Sequence, residues 1–245
     1  MMRARLHILD WMARMPGLET RRQWAAWARG DEPGPALPDE AGGAGVMPKM
    51  LRRRLGPMGQ MAIAAIDAMA PLPPARYLFC SRHGEFHRSL GLLDAIARRQ
   101  PVSPAEFSMS VHNALVGLLS IATKDMAGHT AIAAGKDSLA WGLVEAASCL
   151  AADPAQPVLL IYHDEDLPPP YAGFNAPGGA TLALAVLLGA SGGGETIDMT
   201  AERADGDPAA STVKQALDLL RFLASGEAER RSIGVGTRLD WRRAA

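Results

Sequence analysis

Thr130-Ala131-Ile132-Ala133-Ala134-Gly135-Lys136-Asp137-Ser138-Leu139 passes from an apolar run through a glycine turn into the start of a helix, and this stretch decides the fold. His129 to Ala134 reads as a short strand and Gly135-Lys136-Asp137 as a turn. Asp137 or Ser138 then caps a helix that carries Leu139, Leu143, Ala146, Ala147 and Leu150 at helical spacing. The same strand–turn–helix grammar recurs on both sides. Upstream, Tyr77-Leu78-Phe79-Cys80 is a short buried strand that runs into Ser81-Arg82-His83-Gly84-Glu85. A helix follows over Phe86 to Ala97, with Leu90, Leu93 and Ile96 on one face. A turn at Pro101 to Pro104 leads to a helix over Val111 to Thr123. Downstream, Pro157 to Tyr162 is a strand free of polar interruption, as suits a strand covered on both faces, and Gly178 to Leu188 is another.

Further out the signals thin. Leu6 to Leu9 reads as a strand and Thr20 to Arg29 as a helix with Trp24 and Trp27 on one face. Pro57 to Ala70 is a methionine-rich buried helix. Asp31 to Pro48, rich in Gly, Pro and Ala, reads as a loop-like insertion, Gly189 to Gly194 as a flexible loop, and Thr212 to Ala224 as a last helix. Strands alternating with helices predict an α/β architecture, one central sheet between helical layers, built as a single domain over residues 1–245.

Bulk properties narrow the function. Hydrophobic residues make up 48% of the chain, charged residues 21%, and the formal net charge is -1, which argues against nucleic acid or anionic lipid as main partner. The short run Arg52-Arg53-Arg54 reads as a solvated helix face. Two cysteines, Cys80 and Cys149, outside any C-x-x-C pair, read as buried thiols in a reducing compartment. Asp10 and Arg14 interrupt the N-terminal apolar stretch before it reaches signal-peptide length. The longest apolar run, Thr181 to Ala190, is about half of the roughly 20 residues a bilayer requires. A soluble, cytoplasmic protein without a transmembrane segment is expected.

Ionisable clusters are few. Ser81-Arg82-His83-Gly84-Glu85 reads as a polar turn, with either an internal Arg82–Glu85 ion pair or a buried network fixing the loop. His83 and His87 stand four apart, but Glu85 lies between them rather than directly after the first histidine as in H-E-x-x-H, and no third ligand is evident. His112-Asn113 reads first as a capping and hydrogen-bonding pair at a helix start and second as chemistry. His7, His129 and His163 are isolated and read as packed or surface histidines. No G-x-S-x-G elbow, G-x-G-x-x-G loop or P-loop occurs, and no cofactor or metal is expected.

Three of these segments, in order, resemble the amino-terminal half of a β-ketoacyl synthase of the thiolase fold. They are Phe107-Ser108-Met109-Ser110-Val111-His112-Asn113-Ala114-Leu115-Val116-Gly117, the stretch from Thr130 to Leu139, and Gly178-Gly179-Ala180-Thr181-Leu182-Ala183-Leu184. More specifically, Ser81 to Glu85 together with Ser110-Val111-His112-Asn113-Ala114 resembles a short ketosynthase-like family, described as chain-length factors of aryl polyene and related biosynthesis.

The resemblance implies a half-thiolase layered fold and a strand-to-helix elbow where a condensing enzyme holds its cysteine thiolate. Here Gly135 stands at that position, with Lys136 or Ala134 there on a one-residue slip, and none is a thiol. Cys80 and Cys149 lie on other elements, and the paired histidines of the full-length enzymes belong to a second half that the sequence does not reach. The implied function is a non-catalytic chain-length-factor subunit paired with a cysteine-bearing ketosynthase, with acyl carrier protein engaged through the complex. His129, Thr130, Ala131, Ile132, Ala133 and Ala134 would be the pairing strand, and Phe107, Met109, His112 and Asn113 would face the partner's acyl tunnel. The competing expectation is a diverged stand-alone acyl-thioester enzyme using Arg82, His83, Glu85, His112 or Lys136.

Overall fold

In a computed structural model describing residues 1–32, 34, 45–175, 179 and 181–244, the predicted alternation of strand and helix is present and extends further than the patterns suggest. In chain order the elements are β1 (Met2–Arg14), α1 (Arg21–Arg29), α2 (Lys49–Arg52), α3 (Pro57–Asp67), β2 (Arg76–Cys80), α4 (Phe86–Ala97), α5 (Pro104–Ser108) and α6 (Ala114–Thr123). They continue with β3 (His129–Ile132), α7 (Ser138–Ala152), β4 (Val158–Asp164), β5 (Leu182–Gly189), β6 (Glu195–Arg203), α8 (Lys214–Ser225), β7 (Glu229–Ile233) and β8 (Thr237–Arg243). The loop-like insertion expected near 31–48 falls largely on residues 33 and 35–44, outside the described residues, as does Gly178.

Among the described residues the strands form one sheet in the order β3-β2-β4-β5-β1-β6-β8-β7. β3, β2 and β4 run parallel, with Cys80 opposite both Ile132 and Tyr162, and the other pairings are antiparallel. The chain goes from β2 outward to β3 by way of α4, α5 and α6, then returns over β2 to β4 by way of α7. α6 belongs to the core on one face of the sheet and α7 to the core on the other. The C-terminal ends of the three parallel strands therefore meet where their loops part, the place at which open α/β sheets gather functional residues.

Burial follows the two-residue period of strands. Leu78, Cys80, Leu160, Tyr162, Leu184 and Val186 pack into the layer with α7 and α8. Tyr77, Phe79, Leu159, Ile161, Ala183 and Ala185 pack against α3 and α6. All of β4 and β5 is buried, which is why both read as unbroken apolar runs. Truncating one such side chain, as in Leu160→Ala, is expected to cost about 2–5 kcal/mol. α1 begins as its sequence predicts: Thr20 and Gln23 form a reciprocal capping box, and Trp24 is buried with Nε1 donating to Ala13 O at 2.8 Å.

The antiparallel half is where expectation and structure differ. β1 is 13 residues long rather than the four from Leu6 to Leu9, and three strands, β6, β7 and β8, follow a segment read as loop. Their apolar residues (Ile197, Met199, Ala201, Leu239, Trp241) face the core. Their charges meet across strands on the open face, with Arg5 Nε 2.8 Å from Asp198 Oδ1 and Arg242 Nη2 3.0 Å from Glu229 Oε2. Arg52 is not simply solvated, since it pairs with Asp67 at the end of α3. Among the described residues no helix is long and apolar enough to cross a membrane.

Candidate functional site

β3 ends at Ile132, so Ala133 and Ala134 lie beyond the strand, and the chain turns through a single 3₁₀ turn, Gly135–Asp137, into α7. Gly135 has φ +61°, in the left-handed region that strains any side-chain-bearing residue, and a Cβ built there meets nothing within 4 Å. The two residues after it are committed elsewhere. Lys136 Nζ donates to Pro208 O at 2.7 Å and Ala210 O at 2.9 Å. The buried Asp137 carboxylate accepts from the backbone N–H groups of Val235 and Gly236 at 2.9 and 2.7 Å, and so does not cap α7 as expected. Ser138 Oγ accepts from Ala134 N and donates to Gly135 O, which fixes the elbow from within.

Neither cysteine replaces the missing nucleophile. Cys80 is buried on β2, one strand away, with Sγ so close to Gly142 of α7 that a Cβ there would come within 2.1 Å. Burial, and secondarily the Asp164 charge, push its thiol far above the usual range, so no thiolate forms at neutral pH. Cys149 lies near the end of α7, and burial raises its thiol pKa as well.

Beside the elbow, the Ser81–Glu85 turn is held by a buried network. Ser81 N–H donates to Ile132 O at 3.2 Å, tying the turn to β3. Ser81 Oγ donates to Asp164 Oδ1 at 3.2 Å and accepts from Gly84 N at 2.7 Å, while Arg82 N–H donates to the same Asp164 oxygen at 2.9 Å. The expected Arg82–Glu85 ion pair is absent. Arg82 Nη1 reaches Thr212 Oγ1 at 3.2 Å, and Glu85 lies 3.6 Å from Arg88 Nε at the start of α4. Gly84 has φ +56°, and a Cβ there would come within 2.8 Å of His112 Cδ2, so two constraints demand glycine. His112 Nε2–H donates to Ser81 O at 3.0 Å; a carbonyl can only accept, which fixes the tautomer. Asn113 occupies the N-cap position of α6 without capping it, its Nδ2–H donating instead to His129 Nε2 at 3.3 Å. The capping expectation fails because the edge strand offers this partner.

The sequence reading takes His163 as an isolated packed or surface histidine, and it is packed; Asp164 beside it is not singled out. Both are buried at the end of β4, one on each face of the sheet. The His163 ring lies 4.9 Å from that of Phe79, and neither of its nitrogens has a partner. Burial, aided by nearby His112, lowers its pKa to about 3, so it is neutral at physiological pH. Burial raises the Asp164 carboxyl to about 6 against the hydrogen bonds it accepts, and its Oδ2 is unpartnered. His83 Nε2 is likewise buried without a partner, and burial, then Arg82, lowers its pKa. Two polar residues ending an apolar parallel strand were the available signal.

The residues proposed as reworked catalysts do not share a partner. Lys136 holds the 208–210 loop, Arg82 holds Thr212, Glu85 faces Arg88, and His112 holds Ser81. Among the described residues no group of three or more His, Cys, Asp or Glu is placed to hold a metal ion, and His87 donates to Asp166 O. The residues expected to face a partner divide. Phe107 and Asn113 are exposed, His112 is half-buried, and Met109 is turned into the core. β3 forms one edge of the sheet, flanked on its two faces by α6 with an exposed Ile121 and α7 with an exposed Trp141.

Comparison with known proteins accords with this geometry. A family model described as the β-ketoacyl synthase N-terminal domain matches residues 24–242. No curated protein sequence matches. Among solved structures, a chain from the ketosynthase (ApeO) in complex with its chain length factor (ApeC) of Xenorhabdus doucetiae is similar at 28% identity with a TM-score of 0.79. The match spans 97% of this chain and 99% of that one. A chain of the type II polyketide synthase complex AntDE:AntF, acyl-carrier protein with its ketosynthase bound to the hexaketide, shares the fold at 12% identity and a TM-score of 0.67, over 99% and 100% of the two chains. A β-ketoacyl synthase from Burkholderia phymatum STM815 shares it at 13% identity and a TM-score of 0.51, over 92% of this chain and 71% of that one. With its parallel strands, its elbow after β3 and a family match over most of its length, the chain belongs to the β-ketoacyl synthase N-terminal-domain family and has the thiolase-like ketosynthase fold.

Proposed function

We propose that this chain, acting as one domain, is a chain-length-factor-type subunit without a nucleophile of its own, paired through β3 with a cysteine-bearing ketosynthase that an acyl carrier protein serves. The observation that carries this reading is the elbow: Gly135 stands where a condensing enzyme needs a thiolate, and Lys136 and Asp137 both spend their polar groups on neighbouring loops. Condensation requires an activated nucleophile at that position, and Cys80 and Cys149 lie on other elements and are held protonated.

The pairing half of the proposal rests on the edge. β2 bonds to Gly128 O and Ile132 O, so the groups of His129, Ala131 and Ala133 point outward by the alternation of a parallel ladder. Such groups template pairing with another strand. Apolar side chains beside the edge in both helical layers, Ile121 and Trp141, fit a layered partner with its own sheet rather than an extended peptide. Similarity to a ketosynthase–chain length factor complex supports the same assignment. Phe107, His112 and Asn113, beside that edge, are then the side chains offered to the growing acyl chain, their bulk limiting its length.

Co-expression with each cysteine-bearing ketosynthase of the source genome tests the reading. A stoichiometric complex with one of them, active only when both chains are present, is the expected result. Acyl-thioester turnover by the isolated chain would overturn it.

A further inference from the structure

α4 is twelve residues long and carries Phe86, Leu90, Leu92, Leu93 and Ile96, yet not one of its residues is buried. Leu93 is 58% exposed and Ile96 59%. Every other helix of eight or more residues buries an apolar face in one of the two cores. α4 packs chiefly against the short α5, which also buries nothing and leaves Phe107 exposed. Arg88 pairs with Glu106 of α5 within the arm, and further contacts fix where the arm springs from the body: Arg88 donates to Arg54 O at 2.9 Å, His87 donates to Asp166 O, and the Phe86 ring meets Tyr171 edge-on at 5.1 Å. Such ties orient an arm but leave its apolar surface in water, at a cost of roughly 25 cal/mol for each Å² that burial would remove. A short helix without tertiary packing is marginal by itself.

The arm is also continuous with the edge assigned to the partner. α5 leads through the exposed Val111 to Asn113, whose side chain bonds His129 at the start of β3. We propose that the α4–α5 arm is a clasp: Leu93, Ile96 and Val111 close on an apolar surface of the ketosynthase paired at β3, setting how long the complex lasts. The inference rests on the pairing reading and adds to it a second contact, distinct from strand addition. It assigns the exposed face of α4 to the complex, not to the fold of the isolated chain.

The test is Leu93→Glu combined with Ile96→Glu in the full-length chain, set beside Ala131→Lys at the β3 edge. The clasp predicts that the double variant keeps the melting temperature and helicity of the isolated wild-type chain. Its complex with the co-expressed ketosynthase should dissociate at least tenfold faster, since interface changes act mainly on the off-rate. Amide exchange in α4 should be fast in the free wild-type chain and slowed in the complex. If the double variant binds within twofold of wild type while Ala131→Lys abolishes binding, the clasp is wrong and the edge pairing stands. If the wild-type chain pairs with no ketosynthase, the pairing reading fails and takes the clasp with it. If the double variant lowers the melting temperature of the free chain, the face belongs to this chain's own fold, which also overturns the clasp.

Discussion

The sheet has two edges, and they are built to opposite rules. β7 carries Glu229, Arg230 and Arg231 in five residues, each engaged by an opposite charge: Arg242, Glu227 and Asp240. Charge on an exposed edge strand is a recurrent defence against unwanted pairing. β3 carries His129, Thr130, Ala131 and Ile132, with no carboxylate, lysine or arginine, between helices that expose Ile121 (65%) and Trp141 (48%). The asymmetry is one of edges and does not extend inward: polar atoms without hydrogen-bond partners are buried in both halves, His83 Nε2, His163 and Asp164 Oδ2 around the ends of β2 and β4, and Gln215 Oε1 and Trp241 Nε1 in the layer of α8 and β8. One edge is closed by paired charge, and the other carries none.

Breaking the contrast at β3 should give the largest effect. Ala131→Lys puts a charged side chain on the edge strand, and the expected result is at least a hundredfold loss of ketosynthase binding, about 3 kcal/mol or more. Ala131 is partly buried against the α6-side core, so the melting temperature of the free variant is measured alongside to separate lost pairing from lost stability. Titration calorimetry with the co-purified partner measures this, and unaltered affinity would remove β3 from the interface.

Asp164, at the end of β4 behind the uncharged edge, gives the next effect. Burial holds its pKa at about 6 in the folded chain against an ordinary 3.8, so the folded state binds the proton more tightly than the unfolded one. The stabilisation from that proton is fully present below about pH 3.8 and lost as pH rises through about 6, up to roughly 3 kcal/mol. Asp164→Asn keeps an acceptor for Arg82 N–H and carries no charge. The stability difference between variant and wild type should therefore grow in the variant's favour between about pH 4 and pH 6 and then level off. Urea unfolding across that range reads it, and a difference that does not change with pH would contradict the assignment.

A smaller effect is expected from Trp141→Ala, about tenfold weaker pairing, or roughly 1.4 kcal/mol, with the free chain changed by at most about 0.5 kcal/mol because the ring is half exposed. The smallest concerns the defended edge. Glu229→Thr with Arg231→Thr should leave ketosynthase binding unchanged and produce, at most, weak self-association in sedimentation velocity. Strong loss of ketosynthase binding would mean that the two edges had been assigned the wrong way round.

Much of the parallel half was legible because its signals are local and apolar. Tyr77–Cys80, Pro157–Tyr162 and Phe86–Ala97 carry unbroken strand runs or helical spacing, and each forms the predicted element with ends shifted by at most two residues. β6 was obscured because its inward residues, Ile197, Met199 and Ala201, alternate with Asp198, Thr200 and Glu202 behind a glycine-rich lead-in. The two-residue period was there, but charge masked it. β1 was shortened for the same reason, since Arg3 and Arg5 face the open side of a strand whose Leu6 and Ile8 face the core. At the site, Gly135 and the Ser81–Glu85 turn were visible as motifs. Their partners were not, because Asp164, Thr212, Val235 and Gly236 lie some 80 to 130 residues away and only the sheet order brings them together.

The central claim is that this chain carries no acyl intermediate, and intact-protein mass spectrometry of the reconstituted pair, quenched during turnover with an acyl-carrier-protein-bound substrate, tests it most directly. Acyl mass should appear on the ketosynthase alone, and Cys80→Ser or Cys149→Ser in this chain should leave that pattern unchanged. Stoichiometric acylation of this chain under the same conditions would contradict the claim.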